Sequence, residues 1–216
     1  MWGGAGNDTL DASGSRHGSW WAKLYGGTGD DSIVGGHGRD TLGGGEGNDL
    51  LRGGANRDRL TGGTGDDLMI DVGATWMFGG FGNDTLDASA STHRSHAADL
   101  NGGAGNDLVK GGAAADKLSG NAGDDTVFGG GGDDTMFGNQ GDDFFNGGYG
   151  ADNIDLGEDI PLQVRPSHDV VAGTAAEENG DVVHNFNDAD VIRAYGASGM
   201  TYRQVGDNTE VVIDGT

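Results

Sequence analysis

The sequence predicts an all-β solenoid, a stack of short strands joined by glycine turns, and three observations predict it. A nine-residue unit recurs thirteen times, opening on glycine and carrying aspartate sixth and an apolar residue eighth. The lone apolar residue sits between two neighbours that point the other way, as the two-residue period of a strand requires. Glycine takes 47 of 216 positions, about three times its usual share, and most of these glycines belong to the repeat. Composition alone reads differently. With 34% hydrophobic residues and a net charge of −23 from 12 basic and 35 acidic side chains, the chain resembles a disordered one, because such sequences rarely bury enough surface to offset ordering entropy. The acid is biased, 30 Asp against 5 Glu, and that bias needs a local cause.

The units supply it. They begin at Gly3, Gly26, Gly35, Gly44, Gly53, Gly62, Gly79, Gly102, Gly111, Gly120, Gly129, Gly138 and Gly147. The sixth residues are Asp8, Asp31, Asp40, Asp49, Asp58, Asp67, Asp84, Asp107, Asp116, Asp125, Asp134, Asp143 and Asp152. The eighth residues run Leu10, Ile33, Leu42, Leu51, Leu60, Met69, Leu86, Val109, Leu118, Val127, Met136, Phe145 and Ile154. Glycine usually stands second as well. Where it does not, Asn121 and Asn139 replace it, and Asn is the residue next best able to hold φ > 0.

These residues resemble the RTX (hemolysin-type) calcium-binding repeats, GGxGxDxUx, as in Gly26-Gly-Thr-Gly-Asp-Asp-Ser-Ile-Val34, and the resemblance covers residues 3–155. It implies a right-handed parallel β-roll with two units per coil. Each six-residue turn then binds Ca²⁺ through its aspartate, and the last three residues form a strand. The thirteen aspartates named above become the expected metal ligands. The chemistry agrees with the letters: Ca²⁺ takes six to eight hard oxygens, which inward-turned carbonyls supply, while a short carboxylate adds charge where Glu would reach too far.

The gaps between units give the order of the coils. Most are nine residues, one half-coil, so consecutive units alternate between two edges. Gly3 to Gly26 and Gly79 to Gly102 are 23 apart, and Gly62 to Gly79 is 17. Residues 12–25 and 88–101 therefore read as half-coils with swollen turns, and 71–78 as a degenerate half-coil without the ligand motif. Residues 3–36 align to 79–112 with 21 of 34 positions identical, which indicates a duplication. Stacking on this count gives about eight coils, roughly 40 Å at 4.8 Å per coil. One edge is an unbroken row of Asp8, Asp31, Asp49, Asp67, Asp84, Asp107, Asp125 and Asp143; the other holds Asp40 and Asp58, an interruption, then Asp116, Asp134 and Asp152. An ion between each pair of stacked neighbours, as the family implies, makes about ten Ca²⁺ and offsets most of the −23. Two turns read as weak. Gly53-Gly-Ala-Asn-Arg-Asp58 and Gly111-Gly-Ala-Ala-Ala-Asp116 lack the fourth glycine. Asn56 tolerates the backbone required there, and Ala114 is strained by it.

From Leu156 the texture changes, with 7 glycines in 61 residues. Strand candidates follow at 181–186, 190–195, 200–205 and 209–214, the last two flanking the turn signal Gly206-Asp-Asn208. The segment 156–216 resembles the piece that caps many RTX rolls and carries a type I secretion signal, and a bare roll end needs a cap to cover its strand edges. Two domains are expected: a roll over 1–155 and a capping β segment over 156–216. The chain opens at Met1-Trp2 just before a repeat and closes just after a strand, which fits a piece of a larger protein.

Several classes drop out. Without cysteine there is no disulfide scaffold or thiolate site. No apolar run spans a membrane, no signal-peptide pattern opens the chain, and nucleic acid is repelled by this charge. No catalytic residue is expected: Gly-x-Ser-x-Gly and His-Glu-x-x-His are both missing. The Asp-Asp pairs at 30–31, 66–67, 124–125, 133–134 and 142–143 combine the repeat ligand with a variable fifth position. His93-Arg-Ser-His96 reads as a solvated loop. Trp20-Trp21 reads as packing against the roll, with sugar stacking as the alternative. The expected function is thus a calcium-binding module of a secreted, extracellular bacterial protein that folds on Ca²⁺ outside the cell and supports type I secretion. Its expected partners are calcium ions, a type I secretion apparatus and, in one reading, extracellular polysaccharide. The alternatives are the non-catalytic end of a secreted lipase, protease or alginate epimerase, and a polysaccharide-binding adhesin.

Overall fold

The computed structural model describes residues 1–14, 21–73, 75–92, 94–157, 169–174, 181–186, 191–195, 199–205 and 208–214. Every regular element among them is a strand, and the strands form two sheets of twelve and ten. The chain alternates between the sheets. Trp2–Ala5 lies in the first, Thr9–Asp11 in the second, Lys23–Thr28 in the first again, and so on to Val191–Tyr195. Up to Val191–Tyr195, successive strands of each sheet pair in parallel, so the chain winds as a parallel β-solenoid. The thirteen motif-bearing units, at two per coil, make about seven turns. The expectation of eight coils also counted the three half-coils that lack the motif.

The eighth residues build the core. Leu42, Leu60, Met77, Leu100, Leu118, Met136 and Ile154 stand in register down the first sheet. Leu10, Ile33, Leu51, Met69, Leu86, Val109, Val127 and Phe145 do the same down the second. All of them are buried. Leu24, Met77 and Leu100 belong to the columns although their half-coils lack the nine-residue motif. The swollen and degenerate segments therefore keep the strand and alter only the turn. Each coil contributes one narrow layer of apolar side chains, a thin core for a chain so rich in flexible glycine.

The later strands continue the winding. Val170–Thr174 and Val191–Tyr195 extend the second sheet in parallel, and Asp181–Phe186 extends the first. Asn208–Asp214 then pairs antiparallel to Asp181–Phe186, and Gly199–Val205 pairs antiparallel to Asn208–Asp214. This antiparallel pair ends the first sheet; Gly206 and Asp207 of the expected turn lie outside the described residues.

Candidate metal centre

The thirteen sixth-position aspartates fall on two edges of the solenoid in the order read from the gaps. On the continuous edge each carboxylate reaches one coil back, its Oδ1 accepting a hydrogen bond from the N–H of the preceding aspartate. Asp8 N–H donates to Asp31 at 2.7 Å, Asp31 to Asp49 at 2.8 Å, Asp49 to Asp67 at 2.8 Å and Asp67 to Asp84 at 2.8 Å. Asp84, Asp107 and Asp125 continue the row to Asp143. On the interrupted edge Asp40 donates to Asp58, Asp116 to Asp134 and Asp134 to Asp152. Ala22 and Ala98, which stand where the swollen half-coils have lost their aspartate, still donate to Asp40 and Asp116.

The second oxygen of each carboxylate has a different fate. Oδ2 is buried without a hydrogen-bond partner in Asp8, Asp31, Asp40, Asp49, Asp58, Asp67, Asp84, Asp107, Asp125, Asp134, Asp143 and Asp152. A buried, unpaired carboxylate oxygen is costly unless a cation answers it. Each aims at the first glycine of its own turn. A Cβ on Gly3 would meet Asp8 Oδ2 at 2.6 Å and the Gly26 carbonyl of the next coil at 2.7 Å, and Gly35 stands in the same way to Asp40 and Gly53. Glycine comes first in every unit because that Cβ space is a cradle of oxygens. The three half-coils without a sixth aspartate carry Ala22, Thr75 and Ala98 there, and their first residues, Ala12, Asp71 and Ala88, all have a Cβ.

Burial pushes nine of these carboxyls up from 3.8, against the pull of the N–H bonds and with help from neighbouring aspartates. Asp49, Asp84 and Asp152 reach about 6, Asp58, Asp67, Asp107, Asp125 and Asp143 about 7, and Asp134 about 8. The row is thus a line of strained negative charge. Its donors are the hard oxygens Ca²⁺ prefers. Among the described residues no three His, Cys, Asp or Glu side chains converge, so backbone carbonyls must supply the rest of any coordination shell, as a glycine turn permits.

The two turns read as weak part company. Asn56 takes φ 81 and keeps the turn shape, with Asp58 Oδ2 still unpaired. Asn121 and Asn139 likewise adopt φ 83 and 78. Ala114 does not enter the left-handed region and is buried instead. There Asp116 Oδ2 turns to accept the Gly112 N–H at 2.6 Å, which occupies the oxygen a cation needs.

Sequence reasoning missed two sets of residues. The fifth position is not variable on the continuous edge. Asn7, Asp30, Asn48, Asp66, Asn83, Asn106, Asp124 and Asp142 form a second, outer ladder, the Oδ1 of each from Asn7 to Asp124 accepting the next N–H at 2.7–3.0 Å. The interrupted edge carries Arg39, Arg57, Ala115, Asp133 and Ala151 at that position, so sorting the units by edge exposes the pattern. Beyond the repeats, Asp169 accepts from Asp143 and Asp181 from Asp152, both at 2.8 Å. Each opens an Asp-Val-Val stretch, the sixth-to-eighth pattern of the unit without its glycines.

Other candidates stand apart. Trp20 and His93 lie outside the described residues, and Trp21 is 76% exposed. Phe128 and Phe144 sit 6.1 Å apart on the second sheet, while Phe137 lies on the first. Along the interrupted edge runs an open groove of about 870 Å³ in which Arg39, Arg57, Arg59 and Lys117 alternate with Asp40, Asp58, Asp99, Asp116 and Asp133, with the Arg59 guanidinium 3.9 Å above the Trp76 ring.

Comparison with known proteins agrees with this geometry. The family model for the RTX calcium-binding nonapeptide repeat (4 copies) matches residues 1–15, 23–51, 43–70, 71–92, 101–136 and 128–160. No curated protein matches the chain.

Proposed function

This chain belongs to the RTX calcium-binding nonapeptide repeat family, and we propose from that premise that it is the calcium-binding β-roll of a secreted bacterial protein. One observation carries the reading: the row of buried Oδ2 atoms, in every repeat turn but that of Asp116, without partners and aimed at the first glycines. Bound calcium supplies the divalent charge that these carboxylates lack. The chain's own residues do the remainder. The inner aspartates bind through Oδ2 and brace the coil behind through Oδ1, the first glycines leave room, and the outer Asn and Asp row keeps successive turns in register.

Folding follows from the same arrangement. At the low calcium of a cytoplasm the ionised rows repel one another, and the thin core does not offset the ordering entropy of the glycines. The chain stays unfolded, which suits export through a type I apparatus, and it folds at extracellular calcium. Up to ten ions between stacked turns remain the reading, with the Asp116 turn as the poorest site. Residues 156–216 serve as the terminal cap. The chain itself is non-catalytic, whether it acts alone or as the end of a larger secreted enzyme. A second reading, binding of extracellular polysaccharide, draws support from the Arg59–Trp76 stack in the groove, because an aromatic face can stack on a sugar ring. Far-UV circular dichroism tests the main reading: chelation by EGTA abolishes the β signal and excess Ca²⁺ restores it, whereas a spectrum indifferent to EGTA refutes it.

A further inference from the structure

We propose that Asp58 and Asp71 together hold a further divalent cation of the calcium class, where the interrupted edge has lost its repeat motif. This rests on the calcium-binding reading above and adds to it a site that the repeat pattern does not contain.

Strand register places Asp71 in the slot of a first glycine. Leu50, Leu51 and Arg52 pair with Leu68, Met69 and Ile70, so Asp71 stacks on Gly53. In a regular turn this slot must be glycine, because a Cβ would strike the Oδ2 of the sixth aspartate. The sixth residue here is the buried Thr75, whose hydroxyl side chain bonds the Asp71 carboxylate, so no sixth aspartate of this turn claims the slot. Ala12 and Ala88 use the same freedom in the swollen half-coils, filling it with a methyl group. Asp71 alone fills it with a carboxylate.

That carboxylate stands where the cradle expects an oxygen. In the regular turns the Cβ direction of a first glycine meets its own Asp Oδ2 and the carbonyl of the next first glycine, as Gly62 meets Asp67 and the Gly79 carbonyl. At Gly53 it meets Asp58 Oδ2 and Asp71 Oδ1, each at 2.8 Å. A charged oxygen has replaced a carbonyl. Asp71 Oδ1 is braced by the Gly54 N–H at 3.0 Å and the Val72 N–H at 2.9 Å. Asp58 and Asp71 are 3% and 1% exposed, and the Oδ2 of each is buried without a partner. Two inward carboxylates that share one enclosed space with unpaired oxygens call for a cation between them. A half-coil that has lost the ligand at position six thus regains one at position one. The Asp58 turn, weak by its sequence, becomes a site with two carboxylates.

Calcium equilibrium dialysis of the full chain tests the proposal, with circular dichroism reporting the fold. D71A places at this slot the residue that the swollen half-coils already accept. It is expected to bind one ion fewer per chain than wild type while folding in excess Ca²⁺. D71N keeps the Oδ1 contacts and is expected to weaken that one ion at least tenfold. Unchanged stoichiometry and affinity in both variants overturns the proposal and leaves the general reading standing. A wild-type chain that binds no calcium overturns both. Should either variant fail to fold, wild-type crystals grown with Sr²⁺ decide: an anomalous peak between the two carboxylates supports the site, and peaks confined to the regular turns refute it.

Discussion

Replacing Asp125 by asparagine should change stability with opposite signs in the presence and absence of calcium. The substitution is nearly isosteric. It keeps the Oδ1 that accepts the Asp107 N–H at 2.7 Å, so the ladder between coils survives. It replaces the buried, unpaired Oδ2 beside Gly120 by an amide NH₂. Without calcium, the wild-type carboxyl rises from 3.8 to about 7 on folding, mainly through burial. At pH 8 that ionised group opposes folding by on the order of 2–4 kcal/mol, the lower figure allowing for screening by solvent along the turn. The amide carries no charge, so D125N in EGTA should be more stable than wild type by about 2 kcal/mol. With calcium, the variant loses a charged ligand, and a site saturated at a hundred times its Kd contributes roughly 3 kcal/mol. D125N should therefore be less stable by about 1 kcal/mol in millimolar Ca²⁺, the roughly 3 kcal/mol of lost binding less the about 2 kcal/mol gained by removing the charge. At pH 8, urea titration in millimolar Ca²⁺ and trimethylamine-N-oxide titration of the unfolded chain in EGTA, both followed by far-UV circular dichroism, measure the two differences. Destabilisation of similar size in each buffer would show that Oδ2 has a structural role and would refute the argument.

The pH dependence of the calcium-free chain follows from the raised carboxyls. Their folded values of about 6 to 8 exceed 3.8. Each thus contributes stability that is full below the unfolded value and is lost as pH rises through 6 to 8. In EGTA, β-structure should grow as pH falls from 8 to about 5, and a fold that weakens over that window contradicts the assignment. Gly62→Ala drives a Cβ into Asp67 Oδ2; it should remove one calcium per chain by dialysis and cost about 2 kcal/mol or more. Gly14→Ala, with nothing within 4 Å of its Cβ, should stay within about 0.5 kcal/mol, and equal effects in the pair would sink the cradle. Asn83→Ala deletes the acceptor for Asn106 N–H at 2.7 Å in the exposed outer ladder; a loss of about 1 kcal/mol with unchanged calcium stoichiometry is expected.

The periodicity alone determined which aspartates share an edge and which apolar residues share a column. Asp8 and Asp31, 23 residues apart, stack as surely as Asp31 and Asp49, 18 apart. Unit length and strand alternation set that parity, and an inserted turn does not disturb it. The sequence also located Asn56, Asn121 and Asn139 as positive-φ substitutes, since that demand is local to one turn.

Other features depended on what lies one coil away. The outer Asn and Asp row was hidden because neighbours in sequence belong to opposite edges. Asp169 and Asp181 extend both ladders only because their strands continue the stack. Asp116 and Asp58 looked alike as letters. The first bent inward once Ala114 declined the left-handed backbone, while the second kept its open oxygen and met Asp71. A nine-residue pattern records what each turn asks of its own residues. Which carboxylate fills the space of the next turn is decided by register between strands, and only the tertiary structure sets that register where the repeat breaks.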